Sequence, residues 1–161
     1  MKYLSNLSSF ILLLKNKGIK LCIAESLTGG MLASEFTKKE GASKFFEFSI
    51  VCYSNNSKHS FFKIKPIIDK FGVVSSEVAR EMLIKLDKYS QSKNNLNFSC
   101  TGFASKDRGL LNSDIGKVYI GVSYMDKIVI LEKKFKNYGR NYIIKQTINE
   151  LIKEGQKIIN R

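Results

Sequence analysis

Lys20-Leu21-Cys22-Ile23-Ala24-Glu25-Ser26-Leu27-Thr28-Gly29-Gly30-Met31-Leu32-Ala33-Ser34-Glu35-Phe36 is the stretch on which the fold turns. Lys20 to Ala24 reads as a short buried strand and Glu25 to Thr28 as a turn. Gly29 to Lys38 then repeats apolar residues on one helical face through Met31, Leu32 and Phe36. The result is a strand-turn-helix unit, which calls for a sheet with helices packed on it.

Upstream, Leu7, Phe10, Ile11 and Leu14 stand at helical spacing over residues 5 to 17, and Gly18 supplies a C-terminal stop. Downstream, Phe46 to Tyr53 is rich in aromatic and β-branched residues and predicts a second strand; Ser54 to Phe62 predicts a short helix. The chain's one proline, Pro66, introduces a turn-like stretch that reaches Gly72. Ser75 caps a long helix with Glu77 in its first turn and Val78, Met82, Leu83 and Leu86 on its buried face. Leu96 to Thr101 is a third strand, and Gly102 to Asp114 is polar and irregular, long enough for a functional loop. Lys117 to Tyr124 and Ile128 to Phe135 alternate around Met125-Asp126-Lys127 as a hairpin. A last helix runs from about Arg140 to Ile158, with Ile144, Ile148, Leu151 and Ile152 at helical spacing. The sum is a three-layer α/β/α sandwich with a mixed central sheet, and residues 1 to 161 read as one domain.

The longest wholly apolar run, Phe10 to Leu14, is too short to cross a bilayer. Met1-Lys2-Tyr3-Leu4 reads as the start of the first helix rather than a cleavable leader. Cys22, Cys52 and Cys100 lie far apart in apolar stretches, a pattern of buried reduced thiols and not of a zinc site or a disulfide framework. These features predict a soluble cytoplasmic protein. Lys and Arg number 27 against 14 Asp and Glu, a net +13 that attracts anions. The lysines are dispersed, without a basic run of five or interleaved aromatics, which argues against nucleic acid as the primary partner, and a phosphate-bearing small molecule fits the same field equally well.

The turn after the first strand is the place for chemistry. Ser26 ends the strand, and Thr28, Gly29 and Gly30 open a helix whose first N–H groups lack intrahelical partners. Such donors serve equally as a phosphate cradle or as an oxyanion hole beside a serine nucleophile, unless the glycines simply permit a tight turn that Ser26 caps. A serine hydroxyl needs a base, and the one histidine is His59. Lys58, in Tyr53-Ser54-Asn55-Asn56-Ser57-Lys58 after the second strand, is the alternative base if burial lowers its pKa, with Tyr53 as a nearby hydroxyl.

Three blocks carry a resemblance: Ala24-Glu25-Ser26-x-Thr28-Gly29-Gly30, Tyr53-Ser54-Asn55-x-x-Lys58 and Gly72-x-Val74-Ser75-x-Glu77-Val78-Ala79. In order and spacing they resemble the CinA C-terminal domain family, several of whose members are nicotinamide mononucleotide amidohydrolases. The resemblance runs from Lys20 to the final helix and implies a three-layer sandwich, commonly a homodimer; longer members add an N-terminal molybdopterin-binding-like domain. It implies Ser26 as nucleophile, Lys58 as general base and Tyr53 as an assisting group, with Thr28, Gly29, Gly30 and Gly102 at the substrate. Thr101 would help shape the site, and Arg140, in Tyr138-Gly139-Arg140, would bind or orient substrate. The implied reaction is attack on a carboxamide carbon, release of ammonia and hydrolysis of an acyl-enzyme, with neither metal nor cofactor.

Two segments depart from the family pattern. Where the family has Ser/Thr-Gly-Ile-Ala-Gly-Pro, this chain reads Thr101-Gly102-Phe103-Ala104-Ser105-Lys106, and the loop exits through Ser113-Asp114-Ile115-Gly116 instead of Lys-Pro-Val-Gly. One helical turn after Arg140, where the family often has a further arginine, stand Ile144 and Lys145. These departures admit a second expectation, a nucleotide-binding module of the same fold without turnover.

Overall fold

The computed structural model describes residues 4–106, 109 and 111–160. Met1 to Tyr3 and positions 107, 108 and 110 of the irregular loop lie outside the described residues.

Helix α1 (Leu7–Lys17) buries Leu7, Phe10, Ile11 and Leu14, and ends where Gly18 takes the left-handed conformation at φ 61°. Strand β1 (Lys20–Glu25), helix α2 (Met31–Thr37) and strand β2 (Phe46–Val51) follow. Then come α3 (Asn55–Phe62), α4 (Lys65–Phe71) and α5 (Ser76–Ile84), and a 3-10 turn over Lys85–Tyr89. Strands β3 (Asn95–Gly102), β4 (Lys117–Tyr124) and β5 (Lys127–Lys134) lead into α6 (Arg140–Ile159).

The sheet order is β2-β1-β3-β4-β5. Strand β1 is parallel to both neighbours, whereas β3-β4 and β4-β5 are antiparallel. The carboxyl ends of β1, β2 and β3 therefore emerge at one edge of the sheet, beside the amino end of β4. In open α/β sheets this is where ligands bind.

Strand alternation sorts the core. Leu21, Ile23, Leu96, Phe98 and Cys100 join the buried residues of α1, α2 and α6 on one face, while Cys22 and Ala24 join those of α3, α4 and α5 on the other. The α5 side of β3 is polar yet buried, through Asn97, Ser99 and Thr101. Ser99 Oγ donates to Ala79 O at 2.7 Å and Thr101 Oγ1 to Val73 O at 2.8 Å. Buried hydroxyls that find carbonyls avoid the cost of desolvation and pin α5 and its leading loop to the strand.

Two expectations are corrected. The stretch after Pro66 is helical, because Pro66 occupies the first turn of α4, where no N–H partner is required. The hairpin turn is shorter than read: Tyr124 pairs with Lys127, leaving Met125 and Asp126 between the strands, with Met125 at φ 55°.

Candidate active site

Ser26 follows directly on β1, and its turn is drawn tight by Gly29 N–H donating to Ser26 O at 3.1 Å. Lys58 sits one turn into α3, whose start is fixed by a capping box between Ser54 and Ser57. That register aims the lysine inward, and its side chain is fully buried at 1% exposure. Lys58 Nζ donates to Ser26 Oγ at 2.8 Å, to Cys52 O at 2.9 Å and to Tyr53 O at 3.1 Å.

Burial pushes the Lys58 ammonium below its ordinary value, with the neighbouring Cys52 and Cys100 opposing. The same burial pushes the Cys52 thiol up to about 12 and the Cys100 thiol up to about 11, so both stay protonated near neutrality. In the neutral amine two N–H groups satisfy the two carbonyls and the lone pair faces Ser26 Oγ. That is the arrangement a serine needs to lose its proton.

Ser26 and Lys58 open onto a cavity of about 430 Å³, which Tyr53, Thr101, Gly102 and Arg140 also line. Thr101 shapes it indirectly, since its hydroxyl holds Val73 and hence the loop forming one wall. Gly102 is required by close approach: a Cβ there would come within 2.7 Å of Val118 Cγ2 and 2.9 Å of Lys117 O. Arg140, at the first position of α6, donates from Nη1 to Ser105 Oγ at 3.0 Å and from Nη2 to the Tyr53 hydroxyl.

The structure redirects four of the residues expected at the site. The Tyr53 hydroxyl is engaged by Arg140 at the cavity mouth, and only the main-chain carbonyl of Tyr53 touches Lys58. Thr28 is buried and its hydroxyl donates to Glu25 Oε2 at 2.7 Å. The Gly30 N–H donates to the same oxygen at 2.9 Å, and the Gly29 N–H closes the turn onto Ser26. The helix-terminal donors expected to face a ligand therefore face the Glu25 carboxylate and the Ser26 carbonyl of the protein itself.

Glu25, Ser105 and Lys106 are the site residues that sequence reasoning passed over. An acidic residue between an apolar strand and a Gly-Gly helix start was a readable signal for Glu25, because a carboxylate favours a helix N-terminus. Lys106 lines the cavity and adds a second cation near Arg140. Among the described residues no group of three or more His, Cys, Asp or Glu side chains gathers to hold a metal ion. Among the same residues no helix is long and apolar enough to cross a membrane.

A mixed sheet carrying a buried serine-lysine pair at the carboxyl ends of its parallel strands defines the class of protein: an α/β sandwich whose candidate site lies at that edge of the sheet. The particular family follows from sequence, since the CinA C-terminal domain model matches residues 5–158, and the chain belongs to that family. A CinA-like protein from Fusobacterium nucleatum is 35% identical over 149 residues, covering 92% of this chain and 35% of that protein. The chain spans about a third of the length of the curated relatives it matches. Its fold superposes on the competence/damage inducible protein CihA from Agrobacterium tumefaciens with a TM-score of 0.86 at 20% identity, covering 100% of this chain and 99% of that one. A CinA superfamily protein from Klebsiella pneumoniae gives a TM-score of 0.89 at 18% identity, with 100% of both chains covered.

Proposed function

We propose that the chain is a cytoplasmic amidohydrolase that converts nicotinamide mononucleotide to nicotinate mononucleotide and ammonia. The observation that carries this reading is the 2.8 Å contact between Lys58 Nζ and Ser26 Oγ, buried yet opening on a cavity. Ser26 Oγ attacks the carboxamide carbon as neutral Lys58 takes its proton. The tetrahedral adduct collapses with cleavage of the C–N bond, and Lys58 returns the proton to the departing nitrogen, releasing ammonia. Water then attacks the Ser26 ester; Lys58 accepts its proton and delivers it to Ser26 Oγ as the carboxylic product leaves. Arg140 and Lys106 supply cations for the substrate phosphate at the cavity mouth, and the net +13 field draws the anion in.

The test is ammonia release from nicotinamide mononucleotide by the purified chain. Ser26→Ala and Lys58→Ala are each expected to abolish it, and full activity in both variants overturns the mechanism. Calorimetric binding of the nucleotide without product formation assigns the fold to a binding module instead.

A further inference from the structure

The geometry points to Glu25 as the positioning residue of the Ser26–Lys58 pair, acting through the backbone on both partners and touching neither reacting atom. Its side chain is fully buried. Five donors converge on its carboxylate. Oε2 accepts from Thr28 Oγ1 at 2.7 Å, Gly30 N at 2.9 Å and Leu32 N at 3.2 Å. Oε1 accepts from Ala33 N at 2.9 Å and Ser49 Oγ at 3.0 Å.

A buried carboxylate is costly unless its lone pairs are filled, and here the donors come from the turn after β1, from α2 and from β2. The carboxylate thus fixes the path of residues 26 to 30, and with it the direction of the Ser26 side chain. The main chain of Glu25 acts on the other partner. Its carbonyl accepts from Cys52 N at 2.9 Å and Cys52 Sγ at 3.3 Å, and Cys52 O in turn holds Lys58 Nζ at 2.9 Å. One residue therefore sets where the serine points and anchors the carbonyl that holds the amine. The negative charge of Glu25 meets the partial positive charge of the α2 terminus.

A glutamine cannot replace this carboxylate. Its NH2 group, placed at Oε1, confronts the Ala33 N–H; placed at Oε2, it confronts those of Gly30 and Leu32. Thr28→Val is the milder variant, removing one donor and keeping the charge.

The kinetic consequence rests on the proposed amidohydrolase function; the geometric one does not, so two assays are run on the full chain. In the first, Glu25→Gln is expected to lower kcat per folded molecule by about 10²-fold with KM held, and Thr28→Val by about threefold. In the second, Ser26→Cys places a thiol against Lys58, whose neutral amine takes the thiol proton and leaves a thiolate beside the ammonium so formed, and alkylation by iodoacetamide at neutral pH reports their contact. Adding Glu25→Gln to Ser26→Cys is expected to slow alkylation about tenfold, and adding Thr28→Val to slow it less. If the wild-type chain releases no ammonia but alkylation responds, the positioning role stands and the hydrolase reading falls. If alkylation is unchanged in folded Glu25→Gln, or in Thr28→Val should the first variant not fold, the positioning role is overturned, whatever happens to kcat.

Discussion

Lys58 Nζ lies 2.8 Å from Ser26 Oγ, and the carbonyls of Cys52 and Tyr53 hold the same nitrogen at 2.9 and 3.1 Å. An amine so enclosed is favoured in its neutral form, because burial penalises the ammonium. On the proposed mechanism kcat should rise with pH as Lys58 loses its proton, along a limb set below the ordinary lysine value of 10.5. The same shift acts on stability. Between the folded value and 10.5 the unfolded chain binds more protons than the folded one, so stability rises with pH across that window. The contribution is complete above 10.5 and is lost as pH falls through the folded value. Urea unfolding of wild type and Lys58→Met along a pH series isolates the effect: the wild type should gain stability relative to the variant as pH approaches 10.5. A pH-independent difference between the two contradicts the buried neutral amine.

Arg140 ties the two sides of the cavity mouth together, reaching Ser105 Oγ at 3.0 Å and the Tyr53 hydroxyl while its guanidinium sits 5.8 Å from the Tyr53 ring centre. A lysine keeps the charge but has no planar fork to serve both oxygens. Arg140→Lys is therefore expected to raise KM for nicotinamide mononucleotide about tenfold with kcat preserved, the pattern of a lost binding contact. It should also narrow the preference for the nucleotide over nicotinamide riboside, which lacks the phosphate. An equal fall in kcat at constant KM would place Arg140 at the reacting carbon instead.

Gly102 lets β3 and β4 close beside the site. An alanine Cβ would meet Val118 Cγ2 at 2.7 Å and the Lys117 carbonyl at 2.9 Å, the second of which is backbone and cannot rotate away. Overpacking of this kind costs about 1–3 kcal/mol. Gly102→Ala should lower the free energy of unfolding by that amount and reduce activity as the Thr101 wall shifts; unchanged unfolding refutes the close approach.

The parts of the fold legible in sequence are those where one local signal is enough. The β1-turn-α2 unit, the Gly18 stop, the Ser75 cap and the β4-β5 hairpin each rest on spacing or on a single residue's conformational preference. Helix α4 was hidden because Pro66 reads as a turn residue, although at the start of a helix its missing N–H is no loss. In the site, Ser26 and Lys58 were legible as residue types that need one another. The duties of their neighbours were not, because adjacency in sequence does not say which atom a residue offers. Tyr53 offers Lys58 its carbonyl and turns its hydroxyl to Arg140, 87 positions away. The free donors of α2 were inferred from the rule for helix ends, and only tertiary structure reveals that Glu25 fills them.

Ser75 separates stability from chemistry. Its hydroxyl accepts from Val78 N at 3.3 Å as the cap of α5 and donates to Gly72 O at 2.9 Å, bracing the loop that Thr101 also holds through Val73. No reacting group is among its partners. Ser75→Ala removes the cap and should destabilise the fold by about 1 kcal/mol. Ser75→Thr keeps both the acceptor at the helix start and the donor to Gly72 O, and should retain most of that stability. For both variants, kcat per folded molecule should stay within about twofold of wild type, since a contribution made equally in ground and transition states leaves the barrier unchanged. Denaturant unfolding checks the first expectation and ammonia release the second. A loss of kcat much larger than the loss of folded protein would show that the loop over Val73 and Val74 orients substrate rather than merely walling the cavity.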